Sequence, residues 1–521
     1  MIRSAILFVV LFFFTDVVLS QAKRPSIGLT LSGGGAKGLA HIGILKAIDS
    51  AGLKVDYITG TSMGAIVGSL YAVGYRADSI EKIAQKIDWD LLLSNSSSLR
   101  SLFMEEKDES NKYVVELPWV NHRFRLPSGV LEGQELWLKF SELFLPVYDR
   151  KDFSKFSIPF RCIGTDVGTG EAVVMKEGEI ITAIRSSMAI PSVFTAVDYN
   201  GKKLVDGGIV RNFPVRDVKE MGADIVVGSN VATGLLPSDK VRNVIQVLLQ
   251  VAFFRESEDT KLEVPQCDIY VPFDMDKFTM GSFGQAEELM RLGNEEGRKL
   301  YPRLKRLADS LNAIYGPQQV VLNRLPDVND IIISEYEVNG TNKTSADFFI
   351  HTMDFLTNRK YSGKQLADKV RQAYGTRYYT RIMYSLEPLA DGTARIVFDV
   401  MENPLTFAKL GIHYNKFSGI GVVANLTTRN FFTPNSRSLV TANIGESFRL
   451  RGEHLQYFGR RKDFSLVIGT QFDRFNVTTF DQYKQSGLYR QSYFKGDTRF
   501  QYSTIRKHLM AMGTRFEWVK Y

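Results

Sequence analysis

The chain has 521 residues, of which 44% are apolar, 12% aromatic and 23% charged. This length and composition exclude a wholly disordered chain and leave room for about three domains. With two cysteines and six histidines, the chain is neither a disulfide scaffold nor a dense zinc-cluster protein.

The positive charge is concentrated at the C-terminal end. Residues 405–521 contain 18 Lys and Arg and 7 Asp and Glu, a net charge of +11, so the rest of the chain sums to −3. There is no Arg-rich helix and no zinc-finger spacing, so nucleic acid is not an expected partner. A membrane that contains anionic lipid is the favoured partner of this basic segment.

The first 22 residues predict an export signal. Arg3 precedes an unbroken apolar run, Ala5–Phe14, and small residues follow at Val18 and Ser20, before Gln21. This is the layout of a secretory signal peptide, which we place at residues 1–20. The alternative is a membrane anchor, but the run is shorter than the ~20 residues that span a bilayer.

From about Ser26 to Pro317, short β-type runs alternate with longer helical patterns, which predicts an α/β domain with a mainly parallel sheet. The run Tyr57–Thr59 leads into the sequence GTSMG, residues 60–64, and a small-residue helix follows. Gly60 and Gly64 flank Ser62 and permit a sharp turn that exposes its hydroxyl. Ser62 is therefore the candidate nucleophile.

A serine needs a base, and the histidines of this segment, His41 and His122, lack a suitable setting. Asp206 ends a β-type run and is followed by Gly207 and Gly208, which keep its carboxylate accessible. We expect Asp206 to be the base. Asp166, also at the end of a strand, is the rival candidate.

A glycine loop precedes the first predicted helix, with Gly33, Gly34, Gly35 and Gly38 in the sequence GGGAKG. Consecutive N–H groups ahead of a helix suit an oxyanion hole. The spacing also fits a dinucleotide loop, G-x-G-x-x-G, which requires an acidic residue at the end of the second strand. That position holds the Ser62 turn, so the hydrolase interpretation is favoured.

The ordered motifs GGGAKG, GTSMG, AIRSSMAIPSVF and DGG, with TDVGTGE and VRNFPV, resemble those of patatin-like phospholipases. The resemblance covers about Ser26–Thr233. It implies a Ser62–Asp206 dyad, an oxyanion hole at the glycine loop and a phospholipid or other acyl-ester lipid as substrate. It implies no metal and no other cofactor.

Two later segments predict further domains. Residues 331–403 have the order β-α-α-β-β and resemble a POTRA module. From residue 405 onward the residues alternate, with Phe464, Leu466, Ile468 and Phe472 on one face and Ser465, Gly469, Gln471 and Asp473 on the other. Such strands are typical of an outer-membrane β-barrel. A soluble β-sandwich is the alternative.

The combination of these segments resembles type V secretion proteins that carry a patatin passenger. We expect an exported, multidomain protein of the bacterial outer membrane, with the barrel-assembly machinery as a partner. The barrel segment, with room for roughly seven strands, is expected to be incomplete, and a small self-sufficient barrel is the alternative. The competing hypotheses are an outer-membrane assembly protein whose patatin domain is inert, and a dinucleotide-binding protein.

Overall fold

The structure is a computed structural model. It describes residues 23–94, 112–125, 131–235, 238, 241, 247, 250–318, 324–415, 419–445, 447–459, 462–504 and 508–520. The signal peptide that we expect at residues 1–20 lies outside these ranges. The described strands form three sheets of eight, four and nine strands.

The first sheet forms the centre of an α/β domain. Its strand order is β10-β9-β1-β2-β5-β8-β7, and β6 also pairs with β5. The pairs from β10 to β5 are parallel, which confirms the predicted parallel sheet, whereas β6 and β8 run antiparallel to β5. The strands are β1 (Ile27–Leu31), β2 (Tyr57–Thr61), β5 (Phe160–Asp166), β6 (Ala172–Met175), β7 (Val197–Tyr199), β8 (Lys202–Asp206), β9 (Ile225–Asn230) and β10 (Ile269–Pro272).

Helices cover this sheet, and its central strands are buried along nearly their whole length. Strand β1 is buried at all five positions, as expected of a parallel strand with both faces covered. The helices are α1 (His41–Ala51), α2 (Met63–Val73), α3 (Ala77–Lys86), α4 (Trp89–Leu92), α5 (Gln134–Leu143), α6 (Ile180–Ser187), α7 (Val215–Glu220), α8 (Phe254–Glu263) and α9 (Ala286–Tyr315). Among the described residues, no helix combines the length and the apolar character needed to cross a bilayer.

The four-stranded sheet belongs to a small module, which we define as residues 330–402. Its strand order is β12-β11-β14-β13, with β11 and β14 parallel. Its elements are β11 (Asp330–Asn339), α10 (Ala346–Thr352), β12 (Arg359–Ser362), α11 (Gly363–Tyr374), β13 (Tyr379–Pro388) and β14 (Ala394–Glu402). The sequence-based order omitted β12, because a four-residue edge strand carries too little alternation to be recognised.

The third sheet is antiparallel and contains the C-terminal strands. Its order is β21-β20-β19-β18-β17-β16-β15-β3-β4, in which β3 is Val115–Val120 and β4 is Arg123–Phe124. The seven C-terminal strands are β15 (Thr406–Asn415), β16 (Gly419–Arg429), β17 (Ser436–Gly445), β18 (Phe448–Phe458), β19 (Phe464–Asp481), β20 (Lys484–Thr504) and β21 (His508–Lys520).

The C-terminal sheet has mainly polar side chains on its buried face and mainly apolar side chains on its exposed face. In β19, Phe464 and Ile468 are 44% and 46% exposed, whereas Ser465 and Asp473 are 1% and 6% exposed. The predicted alternation is therefore confirmed. This distribution is the inverse of that in a soluble sheet, where the apolar face is covered.

Two strands of the C-terminal sheet come from the N-terminal half of the chain. Strand β3 (Val115–Val120) pairs with β15, and β4 (Arg123–Phe124) pairs with β3. The sequence-based division assigned both strands to the α/β domain. The structure instead joins the two parts of the chain through a continuous ladder of backbone hydrogen bonds.

Candidate active site

Ser62 lies on a strained turn between β2 and α2. Its backbone has φ 53° and ψ −121°, and helix α2 begins at the next residue, Met63. A positive φ at a non-glycine residue costs of order 1–3 kcal/mol, so the surrounding structure must hold it in place. Gly64 allows the required packing, since a Cβ there would lie 2.3 Å from the carbonyl oxygen of Leu31. A Cβ at Gly60 would lie 2.5 Å from the carbonyl oxygen of Gly64.

Asp206 lies next to Ser62 in space. The Ser62 hydroxyl donates a hydrogen bond to Asp206 Oδ2 at 2.7 Å, although the two residues are 144 positions apart. The other carboxylate oxygen accepts a hydrogen bond from the Gly208 N–H at 2.7 Å. Gly207 packs on β5, where a Cβ would lie 2.3 Å from the carbonyl oxygen of Ile163.

The buried position of Asp206 changes its acidity. Asp206 is only 6% exposed to solvent. Burial raises the pKa of Asp206 from 3.8 to about 6, and the hydrogen bonds from Ser62 and Gly208 partly oppose this rise. A carboxylate with such a pKa is ionised at neutral pH and still basic enough to accept a proton.

The other candidate bases are engaged elsewhere. Asp166 accepts a hydrogen bond from the Gly168 N–H at 2.9 Å and faces Lys202 at 3.7 Å. His41 contacts Ser229 Oγ at 2.8 Å and the Ser32 carbonyl oxygen at 2.9 Å. Burial lowers the pKa of His41 to about 4, so it stays neutral in the core.

The second histidine of this segment, His122, lies between β3 and β4 and belongs to the C-terminal sheet. Of the acidic and imidazole groups that we considered as bases, the structure thus brings Asp206 to Ser62.

The glycine loop lies against Ser62. A Cβ at Gly33 would lie 3.0 Å from Ser62 Cβ, and one at Gly38 would lie 2.5 Å from the Met63 side chain. Gly35 has φ +56°, and a Cβ at this position would lie 2.3 Å from the carbonyl oxygen of Met280. Only glycine therefore fits there. The loop is thus closely packed on both sides.

The four glycines of the loop differ in their hydrogen bonds. The Gly33 N–H donates to the carbonyl oxygen of Asn212 at 3.2 Å and to its Oδ1 at 3.0 Å. Gly38 lies inside a 3₁₀ turn, Gly35–Ala40. Within the described ranges, the N–H groups of Gly34 and Gly35 contact no acceptor. These two N–H groups are therefore the loop's candidates for an oxyanion hole.

Two positioning contacts were not predicted from the sequence. The Ser62 N–H donates to Ser187 Oγ at 2.9 Å, and Asn212 holds Gly33. Both residues lie inside motifs that the sequence analysis quoted, AIRSSMAIPSVF and VRNFPV. A polar side chain within an apolar run was the feature of the sequence that could have identified each residue.

An apolar pocket begins next to the Ser62 turn. Its lining includes Met63 and Met188, the residues that follow Ser62 and Ser187. The cavity has a volume of about 50 Å³, below the ~300–1,000 Å³ typical of preformed ligand pockets. The remaining lining is formed mainly by apolar side chains of α2 to α5: Ile66, Val67, Leu70, Ile80, Ile83, Ala84, Trp89, Leu92, Leu136, Phe140 and Leu143.

Parts of this chain are similar to known proteins. Residues 29–219 match the family model described as patatin-like phospholipase. A lysophospholipase of Emericella nidulans is 24% identical over an alignment of 306 positions, which covers 54% of this chain and 18% of that protein. An uncharacterized NTE family protein of Mycobacterium tuberculosis is 29% identical over 206 residues, 40% of this chain and 49% of that protein.

Similar solved structures include VipD from Legionella pneumophila, at 16% identity, with a TM-score of 0.32 and coverage of 54% of this chain and 68% of that one. BamA from Haemophilus ducreyi, which lacks POTRA domains 1–3 in that structure, is 14% identical, with a TM-score of 0.28 and coverage of 42% and 45%. The chain spans less than half of the length of the two curated relatives described above. From the family match, residues 29–219 form a patatin-like phospholipase domain.

Proposed function

We propose that this protein hydrolyses acyl esters of lipids, in the manner of a phospholipase A or lysophospholipase, with Ser62 and Asp206 as its catalytic dyad. The observation that carries the proposal is the 2.7 Å hydrogen bond from the Ser62 hydroxyl to a buried carboxylate. The family match supports the reaction class. The lysophospholipase relative supports a lipid substrate.

The first step forms an acyl-enzyme. Ser62 Oγ attacks the ester carbonyl carbon while its proton passes to Asp206 Oδ2. The N–H groups of Gly34 and Gly35 donate to the developing oxyanion, and the N-terminus of α2 favours the same negative charge. The C–O bond to the alcohol then breaks, and the proton on Asp206 goes to the departing alkoxide.

The second step releases the fatty acid. Asp206 accepts a proton from water, and the resulting hydroxide attacks the acyl carbon. The Ser62 ester bond breaks, and the proton returns to Ser62 Oγ. The acyl chain enters the apolar pocket beside Met63 by displacing side chains of its lining. Burying each methylene group there yields about 0.8 kcal/mol.

The direct test is hydrolysis of a fluorogenic phospholipid by the full chain in detergent micelles. We expect Ser62→Ala and Asp206→Asn to reduce the rate by at least about a hundredfold, the usual contribution of such groups. A matched control is Ser186→Ala, since the Ser186 hydroxyl bonds to the Thr182 carbonyl oxygen of its own helix. Undiminished hydrolysis by Ser62→Ala would refute the dyad.

We infer that the protein is exported and that strands β15–β21 belong to a β-barrel in an outer membrane. The support is the exposed apolar face of the sheet, which includes Phe500 at 50% and Met512 at 86% exposure. The opposite face holds buried charges, such as Arg437 at 3% and Asp497 at 9%. A membrane is the environment that would cover the first face.

The remaining segments complete this architecture. The module at residues 330–402 is our candidate POTRA module, and the barrel-assembly machinery is the partner that we propose for insertion of the strands. The alternative is an outer-membrane assembly or secretion protein with an inert hydrolase domain. Labelling by a fluorophosphonate separates the two hypotheses, because only an activated serine reacts with it.

A further inference from the structure

Helix α5 is shared between two hydrophobic cores. On one side, Leu136, Phe140 and Leu143 line the apolar pocket beside the Ser62 turn. On the other side, Leu138 is 1% exposed and belongs to the core of the 330–402 module. Leu136, Phe140 and Leu143 are three or four positions apart and share one face of the helix, whereas Leu138 lies on the opposite face. The wall of the pocket is therefore also a wall of the module.

Gln134 joins this helix to the edge of the module's sheet. It is 2% exposed. Its side-chain nitrogen donates to the carbonyl oxygen of Ile382 at 2.9 Å, and the Ile382 N–H donates to its side-chain oxygen at 2.8 Å. Since β13 is an edge strand, this amide satisfies backbone groups that an adjacent strand would otherwise pair with.

Glu135 forms an ion pair with the module from the next position of α5. Arg371 donates from Nε to both carboxylate oxygens of Glu135, at 2.9 and 3.2 Å, and its Nη2 lies 2.9 Å from Oε2. The Glu135 side chain is 6% exposed. A buried, forked pair of this kind fixes the orientation of both elements, because removing one partner leaves a buried charge uncompensated.

The contact continues to the end of the helix. A Cβ at Gly363, the first residue of α11, would lie 3.0 Å from Glu142 Cα. Leu145, just beyond α5, is buried in the module's core as well. The module therefore contacts α5 along its whole length, on the side opposite the pocket.

We propose that the docked module fixes the position of α5 and thereby sets the length of acyl chain that the pocket accepts. The inference rests on the proposed hydrolase function. A long chain extends to the side chains of α5, whereas a short acyl group occupies only the space beside Ser62. Loosening α5 from the module weakens binding of the long chain in the transition state and spares the short one.

The experiment measures kcat/KM of the full chain for p-nitrophenyl butyrate and p-nitrophenyl palmitate. We expect Arg371→Glu to lower the palmitate-to-butyrate ratio by about tenfold, the effect of withdrawing about two buried methylene groups. The charge exchange Glu135→Arg/Arg371→Glu should restore the ratio. As a control, Arg395→Glu breaks an exposed pair with Glu335 inside the module and should leave the ratio unchanged.

An unchanged ratio in Arg371→Glu would overturn the inference. A ratio that falls and does not return on charge exchange would overturn it too, because the loss would then come from misfolding. If the wild-type protein hydrolyses neither ester, the proposed function itself fails. If the wild type hydrolyses both esters but the ratio is the same in Arg371→Glu, only the inference about the module fails.

Discussion

The backbone N–H of Ser62 donates to the hydroxyl oxygen of Ser187 at 2.9 Å, and Ser187 is fully buried. The contact links the strained turn to helix α6, 125 positions away in the sequence. Because Ser62 holds a positive φ, an acceptor for its N–H helps to keep the nucleophile on that turn.

Ser187 is therefore expected to be a positioning residue. We predict that Ser187→Ala lowers kcat by up to about tenfold, the worth of one hydrogen bond of ~0.5–1.5 kcal/mol, with little change in KM. Steady-state kinetics on a fluorogenic phospholipid measures both constants. Ser186→Ala removes an equally buried hydroxyl one position away and should leave kcat unchanged. Equal kcat values for the two variants would contradict the prediction.

Hydrolysis should depend on the ionisation of Asp206. Burial raises the pKa of this carboxyl group to about 6, and only the ionised form accepts the Ser62 proton. We therefore predict that kcat/KM rises with pH and levels off above a midpoint near 6. A pH–rate profile with a short-chain ester measures this midpoint. A flat profile between about pH 5 and pH 8 would show that another group is the base.

Burial of Asp206 also lowers the stability of the folded protein when the carboxylate is ionised. Its pKa is about 6 in the folded protein against an ordinary 3.8, so the folded state binds the proton more tightly. The contribution of Asp206 to the stability of the folded protein is therefore complete below about pH 3.8. It declines as the pH rises from 3.8 to 6 and stays low above pH 6. A shift of this size corresponds to about 3 kcal/mol.

Replacement by a neutral side chain should remove this penalty. We predict that Asp206→Asn slows hydrolysis at least about a hundredfold yet raises the free energy of unfolding at about pH 8, by up to about 3 kcal/mol, and by less near pH 4. Urea unfolding of the hydrolase domain, followed by its fluorescence at both pH values, measures the difference. A variant that is less stable than the wild type at the higher pH would contradict the account.

The apolar face of the C-terminal sheet should tolerate no charge. Ile468 is 46% exposed on that face, and an arginine facing lipid costs ~2–4 kcal/mol at mid-bilayer depth. We predict that Ile468→Arg lowers the amount of full chain recovered in the outer-membrane fraction. Gln471→Arg, on the polar face, is the matched control, because Gln471 already donates to Asp473 at 2.7 Å. Equal recovery of both variants would count against a lipid-facing sheet.

Much of the site could be predicted from local patterns. A strand, a glycine-flanked serine and a small-residue helix are contiguous in sequence, so the turn at Ser62 is visible without a structure. Asp206 was identified because Gly207 and Gly208 mark the end of its strand. The strands after residue 405 were visible because alternation is a local property.

The missed features depend on contacts between distant residues. Ser187 and Asn212 act on Ser62 and Gly33 across 125 and 179 positions, and no single-sequence pattern reports such pairs. Which glycine N–H is already bonded is likewise a property of the folded loop. Strand β3 has a weak pattern of its own, and its partner β15 lies in another segment.

The central claim is that Asp206 activates Ser62 as a nucleophile. The most direct measurement is intact-mass and peptide analysis after treatment with a fluorophosphonate, comparing the wild-type chain with Ser62→Ala and Asp206→Asn. The account predicts one adduct on Ser62 in the wild type, none in Ser62→Ala, and strongly slowed labelling in Asp206→Asn. An adduct on another serine, or labelling of Asp206→Asn at the wild-type rate, would contradict it.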